Sequence, residues 1–355
     1  MGQRYIGSKT KIKDVIVSEI QKFVPKNGTV VDIMCGFGSI SGELRKKNYK
    51  VIAVDVMNQA CHVTKVKMLL TKPPLFKDVK KFIDKKGKIS KKPDYEAIIN
   101  HLNNMSPTKG YFWREFSPNG KPANGTSPRK YFSSENAQKI DAVRAFVKKL
   151  QKNNEITDIE YSLLVHDMIM GINDVANIAG TYGHYLSKFA PNALKPIKFA
   201  QAKFEEGGTV RGHKVINGFA EKVSSKLKAD LCYIDPPYRK RQYAANYHIL
   251  ETIAKGDEPT AVGKSGLREW RDEYSDLCSK IKMWPALEKI FTELKCKNFL
   301  LSYNSEGLAS KKQLVSFMKK FGKLSVKEFP IRRFKSRDEK AAGNVTEYLF
   351  LLRRS

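Results

Sequence analysis

A strand, a glycine turn, a helix and a second strand follow one another near the start of this chain, and this order constrains the fold more than any other feature. Thr29–Ile33 is an apolar run with the length of a buried strand, and Val51–Asp55 is a second one. Gly36, Gly38 and a helix-like segment that ends near Lys47 lie between them. Two strands joined through a helix form a βαβ unit, so the sequence predicts a parallel sheet.

The pattern changes after the second strand and returns to strands only in the later part of the chain. Residues 57–211 are mostly helical or irregular in pattern, with lysine runs and a stretch rich in proline and glycine. Short apolar runs typical of strands then resume and continue towards residue 352. The simplest architecture is one α/β domain, formed by residues 1–56 and 212–355, that is interrupted by an inserted region of residues 57–211.

Charge and composition narrow the class of partner and the compartment. The 355 residues include 65 Lys and Arg against 36 Asp and Glu, a formal net charge of +29. This surplus favours a polyanionic partner, although a solvated lysine-rich surface gives the same count. The five cysteines are dispersed and share no metal-binding spacing with the six histidines, which predicts a reducing compartment and no metal site. Without a membrane-spanning run or a secretory signal, we expect a cytoplasmic protein that binds no membrane.

The glycine turn and the end of the second strand together indicate a ligand that contains a nucleoside. Gly36 and Gly38 allow the backbone to approach a ligand closely between a strand and a helix. Asp55 ends the next strand, where a carboxylate accepts hydrogen bonds from ribose hydroxyls. The next glycine is Gly42, so the spacing departs from the dinucleotide fingerprint and favours a ligand with a ribose and no phosphates. S-adenosylmethionine is such a ligand, and a purely structural turn is the alternative.

The tetrapeptide Asp235-Pro236-Pro237-Tyr238 directly follows the apolar strand Ala229–Ile234, at the strand end where open α/β sheets bind ligands. An adenine amino nitrogen is a poor nucleophile because its lone pair is delocalised into the ring. The Asp235 carboxylate and the Pro236 carbonyl are suited to accept both amino hydrogens and so to localise that lone pair. The prolines hold the acceptors rigidly, and Tyr238 offers a flat face to an unstacked base. A chemically inert turn is the alternative.

With this tetrapeptide and the motifs around it, the chain resembles the Dam-like, alpha-group N6-adenine DNA methyltransferases of type II restriction–modification systems. Asp32–Gly38 is similar to the family motif Asp-Pro-Phe-x-Gly-x-Gly, with Ile33 and Met34 in place of Pro and Phe. Arg4–Lys9 is similar to an N-terminal motif that contacts the methionine and adenine parts of the cofactor. The resemblance covers both ends of the chain. It implies a Rossmann-like, S-adenosylmethionine-dependent sheet with helices on both faces.

The resemblance also implies roles for individual residues. Phe219 stands where the family often places an Asp on the cofactor adenine, so we expect stacking there in place of that hydrogen bond. Family order assigns residues 57–211 to target recognition and DNA binding. The expected cofactor-binding residues are Tyr5, Gly7, Lys9, Asp32, Gly36, Gly38, Asp55, Phe219 and Asp235.

Further residues are candidates for contacts with DNA. Gly180–Tyr185 resembles a loop that these enzymes use near DNA, which points to Tyr182 and His184, although both side chains are equally suited to packing the loop. Asn246 lies on a predicted helix, where it either helps to hold the flipped strand or faces the helix surface. In the insertion, aromatic and basic residues suited to groove reading are Trp113, Arg114, Lys121, Arg129 and Lys130.

A basic cluster near the end of the chain is a further candidate. Arg332, Arg333 and Lys335 are suited to phosphate contacts, and a solvated strand edge is the alternative.

We therefore expect a sequence-specific DNA adenine-N6 methyltransferase that flips its target base out of duplex DNA. The expected partners are duplex DNA and a cognate restriction endonuclease that acts separately, with the chain itself a monomer or weak dimer. Two rivals stay open, namely a methyltransferase of RNA adenine or of the DNA cytosine N4 amino group, and a non-catalytic nucleic-acid-binding protein on the same fold. The insertion favours duplex DNA, because reading bases in the major groove requires a large surface.

Overall fold

The computed structural model describes residues 9, 12–79, 82–83, 89–90, 93–125, 127–238, 242–332 and 344–355. At 82–83, 89–90, 331–332 and 344 the description covers the backbone alone. The strands are β1 (Thr29–Asp32), β2 (Lys50–Asp55), β3 (Phe82–Ile83), β4 (Ile89–Ser90), β5 (Lys214–Asn217), β6 (Leu231–Ile234), β7 (Asn298–Asn304), β8 (Gly322–Arg332) and β9 (Asn344–Arg354).

The helices alternate with the strands of the sheet and fill the region between β2 and β5. They are α1 (Lys13–Gln21), α2 (Ser39–Lys46), α3 (Asn58–Leu69), α4 (Tyr95–Asn104), α5 (Tyr111–Phe116), α6 (Ser134–Lys152), α7 (Asp158–Val175), α8 (Ala220–Val223), α9 (Tyr243–Asn246), α10 (His248–Lys255), α11 (Met283–Glu293) and α12 (Lys311–Met318). None of these described helices has the length and apolar character needed to cross a membrane.

The strands other than β3 and β4 form one sheet in the order β5-β2-β1-β6-β7-β9-β8. The first five are parallel to one another, and β9 runs antiparallel to both β7 and β8. From β1 the chain builds outward through β2 and β5 on one side, and later through β6 and β7 on the other. The order reverses between β1 and β6, and ligands bind at such a switch point, outside the carboxyl ends of the strands. The predicted α/β, Rossmann-like sheet is confirmed.

The composition of the central strands explains why they lie in the middle of the sheet. Leu231, Cys232, Tyr233 and Ile234 of β6 are all buried, as are the last three residues of β1. Parallel strands covered by helices on both faces have such continuous apolar runs. The α11 side chains in the same core are Met283, Ala286, Leu287, Ile290 and Phe291.

Two compact units divide the chain. The sheet unit consists of Gly7–Thr64, Gly207–Gln242 and Tyr274–Ser355, and the helical unit contains Lys65–Glu206 and Tyr243–Glu273. The predicted functional division into residues 1–56 with 212–355 and residues 57–211 stays a prediction. The compact units differ from it chiefly in one segment, Tyr243–Glu273, which joins the helical unit.

Buried arginines explain why this segment belongs to the helical unit. The Arg129 guanidinium is fully buried and donates to the Glu115 carboxylate at 2.9 Å and to the Gly263 carbonyl at 3.0 Å. Arg144 on α6 donates to the Asp257 carbonyl at 2.6 Å. Both arginines lie in Lys65–Glu206 and donate to backbone carbonyls of Tyr243–Glu273. Arg129 is one of the five residues whose types are suited to groove reading, but its guanidinium is buried and paired inside the unit.

Replacing Arg129 with Ala should destabilise the protein by about 3 kcal/mol, because the buried Glu115 carboxylate then loses its buried arginine partner and keeps only the more exposed Arg114. Urea unfolding followed by circular dichroism measures the change. The neighbouring Lys130 is exposed, so Lys130→Ala should alter the free energy of unfolding by no more than about 0.5 kcal/mol. Equal effects of the two substitutions would contradict the assignment of Arg129 as the structural tie.

Candidate active site

The turn after β1 has a backbone that only glycine adopts easily. Gly36 has φ of 51° and Gly38 has φ of 69°, both in the left-handed region. A Cβ atom on Gly38 would lie 2.8 Å from the Thr64 hydroxyl oxygen on α3. The same hydroxyl donates to the Gly36 carbonyl at 2.9 Å and closes the turn against α3. Both glycines are therefore required by conformation, and Gly38 by space as well.

Asp55 closes this turn from the end of β2. Its carboxylate accepts the Gly36 N–H at 2.9 Å and the Met57 N–H at 2.9 Å, one on each oxygen. Burial raises the pKa of the Asp55 carboxyl to about 6, although these backbone donors act in the opposite direction. Each carboxylate oxygen has a second lone pair, so the group can also accept hydrogen bonds from the hydroxyls of a ribose.

Asp32, at the end of β1, is a buried acceptor with spare capacity. Its Oδ2 accepts the Ser41 hydroxyl at 2.6 Å, and its Oδ1 has no hydrogen-bond partner among the described residues. Burial raises the pKa of Asp32 to about 7; the Ser41 hydrogen bond opposes this rise, and the charges of Asp235 and Asp55 add to it. An unsatisfied buried acceptor is destabilising, which fits a ligand that brings a donor or a positive charge.

The end of β5 is tied to the end of β2 beside this carboxylate. Asn217 pairs with Asp55 in the sheet, and its side-chain amide donates to the Val56 carbonyl at 2.8 Å. Phe219 follows two residues later with a half-buried ring, and the Lys222 ammonium lies 4.3 Å from the ring centroid. The sequence-predicted stacking residue thus stands next to the ribose-binding candidate in the fold.

The tetrapeptide follows β6, which pairs with β1 so that Tyr233 lies opposite Asp32. The Asp235 side chain is 17% exposed, and its Oδ1 accepts the Tyr238 hydroxyl at 2.5 Å. The Lys9 ammonium lies 3.4 Å from the same oxygen. Burial raises the pKa of Asp235 to about 6; the Lys9 ammonium and the Tyr238 hydroxyl oppose the rise, and Glu347 adds to it. The turn therefore presents a carboxylate that is ionised near neutral pH.

Sequence reasoning missed two residues of this site, Glu347 and Ser302. Glu347 on β9 is buried, and its Oε1 accepts the Ser302 hydroxyl on β7 at 2.6 Å. It also contacts the Lys9 ammonium and lies 3.2 Å from the Tyr238 hydroxyl. An acidic residue inside the otherwise apolar run of β9 is the signal by which the sequence could have revealed it.

The DNA-contact candidates of the helical unit differ in exposure. Tyr182 is fully buried and donates its hydroxyl to the Asn173 side-chain carbonyl at 2.6 Å, so the prediction that its side chain contacts DNA is wrong. Asn246 is half-buried, and its backbone carbonyl accepts the Tyr182 N–H at 2.8 Å. His184 is exposed, with its Nδ1 2.9 Å from the Ser265 hydroxyl. Of these three residues only His184 has an exposed side chain, whereas Lys121 and Lys130 among the groove-reading candidates are exposed as well.

Several predicted site residues cannot be placed. Tyr5, Gly7, Arg333 and Lys335 lie outside the described residues. Arg332 is described by its backbone alone, which pairs with Asn344 at the end of β8.

Comparison with known proteins gives a consistent match over most of the chain. A family described as D12 class N6 adenine-specific DNA methyltransferase matches residues 5–317. The type II methyltransferase M.NlaIII of Neisseria lactamica is 32% identical over 99% of this chain and 99% of its own length. The type II methyltransferase M.CviAII of Paramecium bursaria Chlorella virus 1 is 30% identical over 98% and 97%. The type II methyltransferase M.FokI of Planomicrobium okeanokoites is 31% identical over 99% of this chain, which spans 52% of that protein.

The raised pKa of Asp32 predicts a pH-dependent stability. The folded protein keeps this proton up to about pH 7, whereas an unfolded Asp loses it near pH 4, so rising pH favours unfolding between these values. Relative to wild type, Asp32→Asn should gain about 3 kcal/mol of stability between pH 5 and pH 8 in urea unfolding. The exposed Asp78→Asn serves as the control. A constant difference between wild type and Asp32→Asn would contradict the assignment.

Proposed function

Because the chain belongs to the D12 class of N6 adenine-specific DNA methyltransferases, we propose that it methylates the exocyclic amino group of an adenine flipped out of duplex DNA. One observation carries the proposal: the Asp235 carboxylate ends β6, directly beside β1, whose own end holds Asp32 and the glycine turn. We further propose that it serves in restriction–modification, in the cytoplasm and as a monomer or weak dimer. A separate cognate endonuclease would cut the unmodified sites.

S-adenosylmethionine is the cofactor of this family, and the residues at the strand ends fit it. Asp55 retains lone pairs for the ribose hydroxyls, and the Phe219 ring offers a face to the adenine. The unpartnered Asp32 Oδ1 suits the ammonium of the methionine part. The left-handed backbone at Gly36 and Gly38 forms the tight turn that lies between Asp32 and Asp55 at these strand ends. When bound, the cofactor supplies an electrophilic methyl group to the site.

Asp235 and Pro236 do the chemical work that this chain contributes. We assign the two amino hydrogens of the target adenine to the Asp235 carboxylate and the Pro236 carbonyl, which localises the nitrogen lone pair. No base is needed before attack, because the nitrogen becomes acidic only once it carries the methyl group. The rigid prolines keep both acceptors in place throughout, so catalysis consists mainly of positioning.

Tyr238 is the residue against which we place the flipped base. Its ring packs edge-on against Tyr303, with centroids 5.2 Å apart and an angle of 78°, and the Lys9 ammonium lies 4.6 Å from its centroid. Its hydroxyl donates to Asp235 Oδ1, and we assign this oxygen of the carboxylate to one of the amino hydrogens. Binding of the base therefore requires the hydroxyl to release that oxygen or to share it.

A set of three loops in the helical unit, here the basic loop surface, suits the DNA backbone. Residues 120–130, 183–188 and 261–266 contain no Asp or Glu. Hydrogen bonds connect the loops, from Arg129 to the Gly263 carbonyl, from Lys130 to the Ser187 carbonyl and between His184 and Ser265. The exposed basic side chains of the surface are Lys121, Lys130, His184, Lys188 and Lys264. Such uncompensated positive charge attracts phosphates.

Methyl transfer from labelled S-adenosylmethionine tests the reaction. Wild-type protein should label N6 of adenine in duplex DNA, and Asp235→Ala should lower kcat at least about 10²-fold because one of the two acceptors is lost. Cofactor binding by calorimetry should stay close to wild type, and the exposed Asp272→Ala should remain fully active.

Equal labelling of RNA, or labelling of cytosine N4, would overturn the substrate assignment. A fully active Asp235→Ala would move the chemistry to another residue.

The salt dependence of DNA binding tests the basic loop surface. Replacing Lys130, Lys188 and Lys264 with Ala should lower the slope of log K against log salt by up to about 2.7, since each lost phosphate contact removes about 0.9. The control is a triple substitution of the exposed Lys319, Lys320 and Lys323 in the sheet unit, which removes the same charge. An equal loss of slope in both triple variants would show that the effect comes from the total charge and not from the basic loop surface.

A further inference from the structure

Glu347 is a buried acid in the middle of a strand, and its hydrogen bonds point to the catalytic turn. A single oxygen, Oε1, is approached by three donors from three parts of the sheet unit: Ser302 on β7, Lys9 and Tyr238. Its side chain is only 5% exposed. Backbone pairing of β9 with β7 and β8 does not need this carboxylate. A buried carboxylate costs free energy unless it has partners such as these. Because strand pairing does not require Glu347, its presence in β9 calls for an explanation beyond the fold.

We propose that Glu347 is a positioning residue for methyl transfer, which holds the Lys9 ammonium between two carboxylates and offers the Tyr238 hydroxyl a second acceptor. The inference rests on the proposed function for the identity of the reaction. It assigns Lys9 to the catalytic turn, whereas the sequence motif assigned it to the cofactor.

The first part of this role is electrostatic. The Lys9 ammonium contacts Glu347 and lies 3.4 Å from Asp235 Oδ1, so its charge is shared between the two acids. Without the charge of Glu347, the ammonium is free to form a full ion pair with Asp235. It would then compete with the target amino group for the same carboxylate. Lys9 therefore favours the ionised form of Asp235, and Glu347 keeps that carboxylate available as an acceptor.

The second part concerns the single hydrogen of the Tyr238 hydroxyl. This hydroxyl donates to Asp235 Oδ1 at 2.5 Å, and Glu347 Oε1 lies 3.2 Å from the same phenol oxygen. A hydroxyl can donate to only one of them at a time. When the target amino group takes Asp235 Oδ1, the Tyr238 hydrogen turns to Glu347 and remains satisfied. Glu347 thus lowers the free-energy cost of admitting the base.

The titratable and charged groups that face Asp235 in the described sheet unit define what a pH profile reports. They are Lys9, Tyr238, Tyr233 on β6, Asp32 on β1 and Glu347 on β9. Of these, Lys9 holds the pKa of Asp235 down and Glu347 holds it up. Removing the charge of Lys9 therefore raises the pKa of Asp235, and removing the charge of Glu347 lowers it. The other groups stay the same in both variants.

The test compares Glu347→Gln, Lys9→Met and wild type. Glu347→Gln should lower the plateau kcat by up to about 10²-fold with little change in the KM for DNA, because the turn is mispositioned and not lost. Its acidic limb of kcat should shift to lower pH, and that of Lys9→Met to higher pH. The control is Glu328→Gln on the neighbouring β8, an exposed Glu that is also paired with a lysine, and it should match wild type in both respects.

A readout without methyl transfer separates this inference from the proposed function. The pKa of the Asp235 carboxyl, followed by ¹³C NMR in cofactor-free protein and assigned through Asp235→Asn, should move down in Glu347→Gln and up in Lys9→Met. If wild type methylates no DNA, the proposed function fails while these shifts still support the positioning role. Shifts that are absent, or that have the same sign in both variants, would overturn the positioning role even in a fully active methyltransferase.

Discussion

The site depends on one ammonium buried among carboxylates. Lys9 contacts Glu347 and faces Asp235, while Asp32 ends β1, the neighbour of β6, and Asp55 ends β2 on the far side of β1. Carboxylates removed from water take up protons unless donors or positive charges hold them ionised. Asp235 has Lys9 for this purpose, and Asp55 has two backbone N–H groups. Asp32 Oδ1 has no hydrogen-bond partner among the described residues, which is the basis for the proposal that a positively charged ligand group binds there.

The parallel sheet is what brings these acids together. In register, Asp32 lies opposite Ala53 on one side and Tyr233 on the other, so three strands end at nearly the same level. Because the order reverses between β1 and β6, the chain leaves these two neighbouring strands towards opposite edges of the sheet. The antiparallel β9 then adds Glu347 from the far side of β7, through Ser302. A chain without this last strand would keep Asp32, Asp55 and Asp235 at the strand ends, but Lys9 would lose its ion pair with Glu347.

Local sequence pattern was sufficient for the central sheet and for the glycine turn after β1, and it failed where distant residues pair. The predicted strand Ala229–Ile234 contains β6, Leu231–Ile234, and ends at the same residue, because a central parallel strand is a continuous apolar run. The partners Lys9 and Glu347 are separated by most of the chain, so no local period relates them. For the same reason the sequence did not reveal the pairing of the buried Arg129 and Arg144. Their acceptors in Tyr243–Glu273 lie in a segment that was predicted to belong to the catalytic domain.

Positive charge has two different uses in this molecule, and the net charge of +29 does not distinguish them. Buried arginines such as Arg129 donate hydrogen bonds to carboxylates and backbone carbonyls, because the planar guanidinium can satisfy several acceptors at once. Exposed lysines on loops without acids keep their charge available to a polyanion. A basic residue therefore says little about DNA binding until its burial and its acidic neighbours are known. By that measure the loops around His184, and not the arginines beneath them, are the part of the helical unit suited to phosphate.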